Sequence, residues 1–328
     1  VSGTRSGTPG FALGQSELAA IQSRLRGRVH RTPILQSRLL SELAGCELLL
    51  KGEHLQRGGS FKIRGALNFL LTLPGAEGLR RVVTASSGNH GQAVALAARD
   101  LGIAAIVVVP EDIAAVKREA IAAYGARVEV AGLSSADRLA RAQEIAAQGP
   151  IFVPPYDHPR IIEGQATVGA ELAEEAPELD CVAVPVGGGG LISGVALALR
   201  ALRPRVRIIG VETEAANDAQ RSFRAGARTR ISLPDTIADG IRNLEVGELN
   251  WEVIRTAVDD MITVSETEVV EAMALLLTRA KIVAEPTGAV APAAVLAGRV
   301  KGERVAAIVS GGNVDPPLLG RLLAEPRR

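Results

Sequence analysis

Short runs of Val, Ile and Leu alternate along the chain with longer segments rich in Ala, Leu, Arg and Glu. The first kind predicts strands and the second predicts the helices that connect them. Strands are expected at Glu47–Lys51, 81–84, Ala104–Val109, Arg127–Val130, 181–186, 207–211 and 305–309. Helices are expected at 91–101, 113–124, 136–147, 167–175, 192–202 and 268–281. Several of the strands are apolar throughout, which suits parallel strands covered on both faces. The pattern is that of an α/β protein with open, doubly wound sheets. A Pro-rich stretch at 150–159 follows the third strand–helix repeat after residue 80, and an irregular stretch at 228–250 mixes Pro, Gly and Asn. These two stretches punctuate the domains. There is no low-complexity linker and no solenoid-type repeat.

The 328 residues correspond to roughly two domains at about 150 residues each. Apolar residues make up 47 % and charged residues 22 %, a balance that excludes a wholly disordered chain. Aromatic residues are only 2 %, too few for stacking platforms on single-stranded nucleic acid. Lys plus Arg number 37 against 36 for Asp plus Glu, so no nucleic-acid or other polyanionic partner is expected. Cys46 and Cys181 make no disulfide framework, and four scattered histidines give no structural zinc pattern. The apolar runs fall far short of the ~20 residues that span a bilayer. Residues 1–10 are rich in Gly, Ser and Thr and are expected to form a flexible tail rather than a signal peptide. The expectation is a soluble, cytoplasmic protein with no membrane partner. The short tail after the last glycine-rich loop is read as leaving no room for a regulatory domain.

Chemistry enters at Val184-Pro-Val-Gly-Gly-Gly-Gly-Leu-Ile-Ser-Gly194, where an apolar strand ends in four glycines and a helix begins. Glycines let a backbone approach an anion closely, and first-turn amides with the helix dipole favour a phosphate. A merely flexible turn is the alternative. Ser193 stands where the dinucleotide fingerprint needs its third glycine, and Val195 stands where a Walker loop needs lysine. The loop therefore indicates phosphate without indicating nucleotide. In Gly58-Gly-Ser-Phe-Lys-Ile-Arg-Gly65, Lys62 lies between Phe61 and Ile63. Apolar neighbours lower an amine's pKa, as a Schiff-base lysine requires, although most lysines are solvated surface residues.

Thr84-Ala-Ser-Ser-Gly-Asn-His-Gly-Gln92 joins a strand to a helix. Its hydroxyls, amide side chain and helix amides suit a carboxylate, while a Ser N-cap with Asn in the turn is the plainer reading. His90, with no nucleophile placed beside it, is assigned to packing or hydrogen bonding. In Ile308-Val-Ser-Gly-Gly-Asn-Val-Asp315, Ser310 follows a strand at the end where α/β sheets bind ligands. A lysine, a phosphate cup, a carboxylate loop and a lone serine together make a pyridoxal-phosphate site.

With these segments in view, the chain resembles the fold-type II pyridoxal-phosphate enzymes, specifically the threonine dehydratase and serine racemase family. The motifs that match, in order, are Ser60-Phe-Lys-Ile-Arg-Gly-Ala66, Ser86-Ser-Gly-Asn-His-Gly-Gln92, Gly187 to Gly190, Glu285-Pro-Thr-Gly288 and Ser310-Gly-Gly-Asn313. The likeness runs from about residue 16 to residue 316. It implies a tryptophan synthase β-like fold: a large cofactor-binding domain of residues 1–80 and 156–328, and a smaller mobile domain of residues 81–155. It also implies that Lys62 is the Schiff-base lysine. Asn89 would bond the phenolic oxygen of pyridoxal 5'-phosphate, and Gly187, Gly188, Gly189, Gly190 and Leu191 would hold its phosphate. Ser310 would face the pyridine nitrogen, a weaker electron sink that suits elimination. Ser86, Ser87, Asn89 and His90 would line the substrate carboxylate. In the racemases the residue matching Ser87 is an acid/base opposite the lysine.

The resemblance also makes Val211-Glu-Thr-Glu-Ala-Ala-Asn-Asp218 readable as a cation site, with Glu212, Ala216 and Asp218 at the family's spacing. Oxygen ligands suit Mg²⁺, Ca²⁺ or K⁺. An acidic helix N-terminus is the alternative. Pro155-Tyr-Asp-His-Pro159 resembles the dehydratases rather than the racemases. The implied activity is dehydration and deamination of a small amino-acid substrate, L-threonine or L-serine, to the 2-oxo acid and ammonia. A serine racemase, or a dehydratase of phenylserine or hydroxyaspartate, is the alternative. A nucleotide-binding regulator is the alternative from another class. A homodimer or homotetramer is the implied assembly.

Overall fold

The computed structural model describes residues 11–73, 80–86, 88–111, 113, 115–132 and 135–324. Ser87 lies outside the described residues, as does the segment 1–10 read as a tail. The strands are β1 (Ile34–Gln36), β2 (Glu47–Lys51), β3 (Arg81–Ala85), β4 (Ala104–Val109), β5 (Arg127–Val130), β6 (Ile151–Phe152), β7 (Cys181–Pro185), β8 (Arg207–Thr213), β9 (Asp260–Val264) and β10 (Arg304–Ile308). They form a six-stranded sheet in the order β1-β2-β10-β7-β8-β9 and a four-stranded sheet in the order β5-β4-β3-β6. Every pairing is parallel except β1 with β2. The register aligns Lys51 with Ile308 and Pro185 with Val211, so β2, β10, β7 and β8 end along one edge.

Apolar runs hide a period of two. On the six-stranded sheet, Leu49, Val182, Val184, Ala306 and Ile308 belong to one buried cluster. Their neighbours Leu48, Leu50, Cys181, Ala183, Val305 and Ala307 belong to another. Successive strand side chains point to opposite faces, and here both faces are covered. A smaller cluster with Val83, Val108, Ala142 and Ile145 lies behind the four-stranded sheet.

The helix expected at 167–175 begins eight residues earlier and runs Pro159–Glu175. Proline at the first helical position and a His158 side chain accepting the Arg160 amide start it, so part of the Pro-rich stretch initiates structure. This helix crosses two others at glycines. A Cβ on Gly164 would lie 2.5 Å from the Arg64 carbonyl oxygen, and one on Gly194 would lie 2.6 Å from the Ala166 nitrogen. The helices Lys62–Leu71 and Gly190–Leu202 are thereby seated on one frame. The expected helix at 268–281 divides into Glu266–Leu275 and a wider π turn, Leu276–Ala280, closed by Lys281 at φ 61°. Among the described residues no helix is long and apolar enough to cross a membrane.

Candidate active site

Lys62 is the first residue of the helix Lys62–Leu71. Its Nζ donates to the Pro155 carbonyl oxygen at 2.9 Å and lies 5.2 Å from the Phe61 ring centroid. Burial lowers its pKa to about 8, and a helix N-terminus is in any case a poor place for a cation. About a tenth of the amines are therefore neutral at pH 7, against fewer than one in a thousand for an exposed lysine. The Phe61 amide donates to the Ser310 carbonyl oxygen at 3.2 Å, which ties the lysine's turn to the end of β10. Ser310 itself is buried, with Oγ 3.5 Å from the Thr287 carbonyl oxygen.

The glycine loop follows β7. Gly189 adopts φ +93°, which favours glycine. A Cβ on Gly188 would lie 2.4 Å from ring carbons of Tyr156, and one on Gly187 would lie 2.8 Å from Asn243 Oδ1. The Gly188 carbonyl accepts from the Gly247 amide at 3.1 Å and from Asn250 Nδ2 at 2.8 Å, so the loop is held rigidly. Its run into Gly190–Leu202 exposes first-turn amides that have no partner inside the helix.

Asn89 starts the helix Asn89–Asp100 after β3. Its Nδ2 donates to Glu285 Oε1 at 2.6 Å, and its Oδ1 accepts from Asn313 Nδ2 at 2.8 Å. Asn313 in turn donates to the Gly58 carbonyl at 2.8 Å. A Cβ on Gly59 would meet Asn313 Oδ1 at 2.2 Å, so the glycines before Lys62 make room for this amide chain. His90 is buried beside Lys62, its Nε2 3.2 Å from the Val153 carbonyl oxygen. Burial, and then the charge of Lys62, push its pKa down to about 3, so it is a neutral imidazole. Ser86 Oγ accepts from the Gly88 amide at 3.2 Å.

Contacts among these residues place Lys62, Asn89, His90, Gly187 to Gly190 and Ser310 in one region where both sheets end. The residues fit pyridoxal phosphate: a depressed amine for its aldehyde, and a side-chain-free cradle at a helix N-terminus for its phosphate. Three contributors had no role assigned from the sequence. Glu285 and Asn313 orient Asn89, and Tyr156 backs Gly188. Their motifs were legible, but the contacts of Glu285 and Asn313 with Asn89 span more than 190 residues of chain.

The loop after β8 is a separate feature. Glu212 is fully buried, and its carboxylate accepts from the Ala219 amide at 3.1 Å and the Gln220 amide at 2.7 Å, capping the helix Asp218–Ala225. Asp218 and Ala216 are also fully buried. Both Asp218 carboxylate oxygens and Asn217 Oδ1 are buried without a hydrogen-bond partner. Burial raises the Asp218 pKa to about 7. Among the described residues no group of three or more His, Cys, Asp or Glu could hold a metal ion. The orphaned oxygens nonetheless fit a hard cation completed by backbone oxygen.

Comparison with known proteins agrees with this geometry. The family model described as pyridoxal-phosphate dependent enzyme matches residues 25–311. The L-threo-3-hydroxyaspartate ammonia-lyase of Saccharomyces cerevisiae is 45 % identical over 89 % of this chain and 91 % of its own. The L-threonine ammonia-lyase of Thermotoga maritima is 43 % identical over 94 % of this chain and 77 % of its own. The structure of maize serine racemase superposes with a TM-score of 0.91 at 38 % identity, covering 95 % of this chain and 97 % of that one.

Proposed function

The chain belongs to the family of pyridoxal-phosphate-dependent enzymes, and from that premise we propose that it dehydrates and deaminates a β-hydroxy amino acid, L-threonine or L-serine, to 2-oxobutyrate or pyruvate and ammonia. The observation that carries this reading is Lys62. Its amine has a pKa lowered to about 8 by burial, bonds to the Pro155 carbonyl, and stands one residue from the bond that joins Phe61 to Ser310.

Pyridoxal phosphate, when bound, supplies an electron sink for the substrate's α-carbon. This chain's residues would do the rest. Gly187 to Gly190 and Leu191 would hold the phosphate, Asn89, oriented by Glu285 and Asn313, would hold the ring oxygen, and Ser310 would hold the ring nitrogen. Lys62 Nζ would hold the cofactor's aldehyde and would serve as the base for the substrate's α-proton. His90, neutral and bonded to Val153, shapes the wall beside the amine without bringing charge to it. Ser86 and Ser87 receive the substrate carboxylate. Residues 81–155 form a smaller lobe that closes to exclude water during the elimination. Glu212, Ala216 and Asp218 would hold a cation, Mg²⁺, Ca²⁺ or K⁺, and the chain would work as a homodimer or homotetramer in the cytoplasm.

A second reading is dehydration of 3-hydroxyaspartate, favoured by the yeast relative at 45 % identity. Release of 2-oxobutyrate from L-threonine by purified, cofactor-loaded protein tests the proposal, with L-serine and L-threo-3-hydroxyaspartate in parallel. Turnover of threonine or serine supports it. Turnover of hydroxyaspartate alone moves the assignment to the second reading, and no 2-oxo acid from any of the three overturns elimination.

A further inference from the structure

The helix that begins at Lys62 has a second charged residue, Arg64, on a different face. Residues two apart on a helix point about 200° apart, so the amine and the guanidinium face opposite sides. Arg64 is fully buried, and so are Glu53 and Lys51. Arg64 Nε and Nη2 donate to the two oxygens of Glu53, each at 2.8 Å. Arg64 Nη1 and Nη2 donate to the two oxygens of Glu171 at 2.6 and 3.0 Å. Nη1 also reaches Thr167 Oγ1 at 3.0 Å, and Nη2 reaches the His30 carbonyl at 3.3 Å. One guanidinium thus makes two forked pairs and uses its whole fixed fan of donors.

The surroundings of the fork are equally determined. Glu53 Oε1 accepts from Thr32 Oγ1 at 2.5 Å. Lys51 Nζ lies 2.7 Å from Glu171 Oε2 and 3.1 Å from Glu175 Oε2, and donates to the Thr32 carbonyl at 2.7 Å. Glu171 and Glu175 stand on the helix Pro159–Glu175, against which the next residue, Gly65, is seated. A Cβ on Gly65 would lie 2.4 Å from Gln165 Nε2, so this close approach fixes the helix separation while the fork fixes its rotation and rise.

A buried ion cluster is a poor device for stability, since apolar side chains of the same volume serve as well or better. What it provides is one allowed geometry. We propose that Arg64 is a positioning residue for Lys62: clamped between Glu53 and Glu171, it locks the first turn of the helix so that the amine is presented at a single point beside Pro155. The inference rests on the reading of Lys62 as the cofactor-binding amine.

The test starts from the intact protein, freed of cofactor and reloaded with pyridoxal phosphate. Borohydride quenching at timed intervals and peptide mass analysis follow the covalent adduct on Lys62. Arg64→Lys keeps the charge and loses the fork. Leu67→Ala, a fully buried change on the same helix, calibrates loss of stability alone. The expected result is that Arg64→Lys slows adduct formation about tenfold or more and lowers kcat by a similar factor with KM within about twofold. Leu67→Ala, at equal or greater loss of Tm, stays within about twofold of the parent in both. A parental trapping rate in Arg64→Lys, or equal slowing in Leu67→Ala, overturns the inference. Should Arg64→Lys show no cooperative unfolding, Glu171→Gln replaces it, with about threefold slowing expected and a parental rate overturning the idea. Absence of any adduct on Lys62 in the parent overturns the Lys62 reading itself, an outcome distinct from all the others.

Discussion

The first turn of the lysine helix and the loop after β8 both bury charge, and they do it in opposite ways. Around Arg64 every charge has a counter-charge: Glu53 and Glu171 at the guanidinium, Glu171 and Glu175 at Lys51. After β8, Glu212 and Asp218 are buried and make no ion pair among the described residues, and neither Asp218 oxygen has a hydrogen-bond partner there. Desolvating a charge is costly unless something on the protein or a ligand compensates. The first region is complete as folded and acts as a frame. In the second, the Asp218 oxygens and Asn217 Oδ1 stay without a hydrogen-bond partner, the feature on which the proposed cation site rests.

The largest effect should come from breaking the complete cluster. Glu53→Leu leaves the Arg64 cation facing an apolar side chain with one of its two carboxylate partners gone, at a cost of about 3–5 kcal/mol. Urea unfolding at pH 7 measures it. Asp218→Asn, in protein dialysed free of divalent ions, removes a buried carboxylate whose ionised form burial disfavours, and should leave the unfolding midpoint unchanged or raise it. Equal losses in the two variants would break the distinction between the paired and the unpaired region.

How much of this was readable beforehand differs between the regions for a reason. The strands at 104–109 and 181–186 are apolar runs and appear where expected, as does the shorter one at 81–84, whereas β1, β6 and β9 were missed. Two of those have three residues or fewer, too short to carry a period, and β9 is buried irregularly, with neither a clean alternation nor a continuous apolar run. The glycine loop and Lys62 stood out because their chemistry is local in sequence. Arg64 did not, since its partners Glu53, Glu171 and Thr167 lie up to 107 residues away and only the fold assembles them. The helix Lys62–Leu71 itself was hidden by the glycines around it, for Gly65 weakens helix propensity and is there for its close seat on Gly164. Glu212 shows the limit of spacing as a guide: its two oxygens cap a helix, as the plainer reading of the acidic loop expects, while the Asp218 oxygens have no hydrogen-bond partner.

Lys62 sharpens the comparison, because it meets desolvation in a third way: its proton is held less tightly than an exposed lysine's. An unfolded lysine holds its proton to about pH 10.4, and the native amine releases it near 8. Between those values the unfolded chain binds more protons than the folded one, so stability rises with pH across that window. Below pH 8 the charged amine is a standing penalty of no more than about 3 kcal/mol. In cofactor-free protein, Lys62→Met should therefore be more stable than the parent at pH 7, and the rise between pH 8 and 10.5 should vanish. Denaturant midpoints at pH 7, 8, 9 and 10 decide it, and parallel curves for the two proteins would mean that the amine is already well solvated.

The smallest effect is the one aimed at the loop after β8. A ligand that binds only the folded chain stabilises it by RT ln(1 + [L]/Kd), about 2.7 kcal/mol at a hundredfold excess over Kd. With Glu212 engaged by the Ala219 and Gln220 amides, Asp218 is the group with lone pairs to offer, and it should govern the response. Thermal unfolding of dialysed protein, with Mg²⁺, Ca²⁺ or K⁺ added separately, should show a concentration-dependent rise in Tm for at least one of them. Asp218→Asn should abolish that rise while leaving the dialysed Tm in place. If no cation raises the parent's Tm, Asp218 is a buried neutral acid beside a helix cap, and the two regions differ only in how they avoid carrying an uncompensated charge.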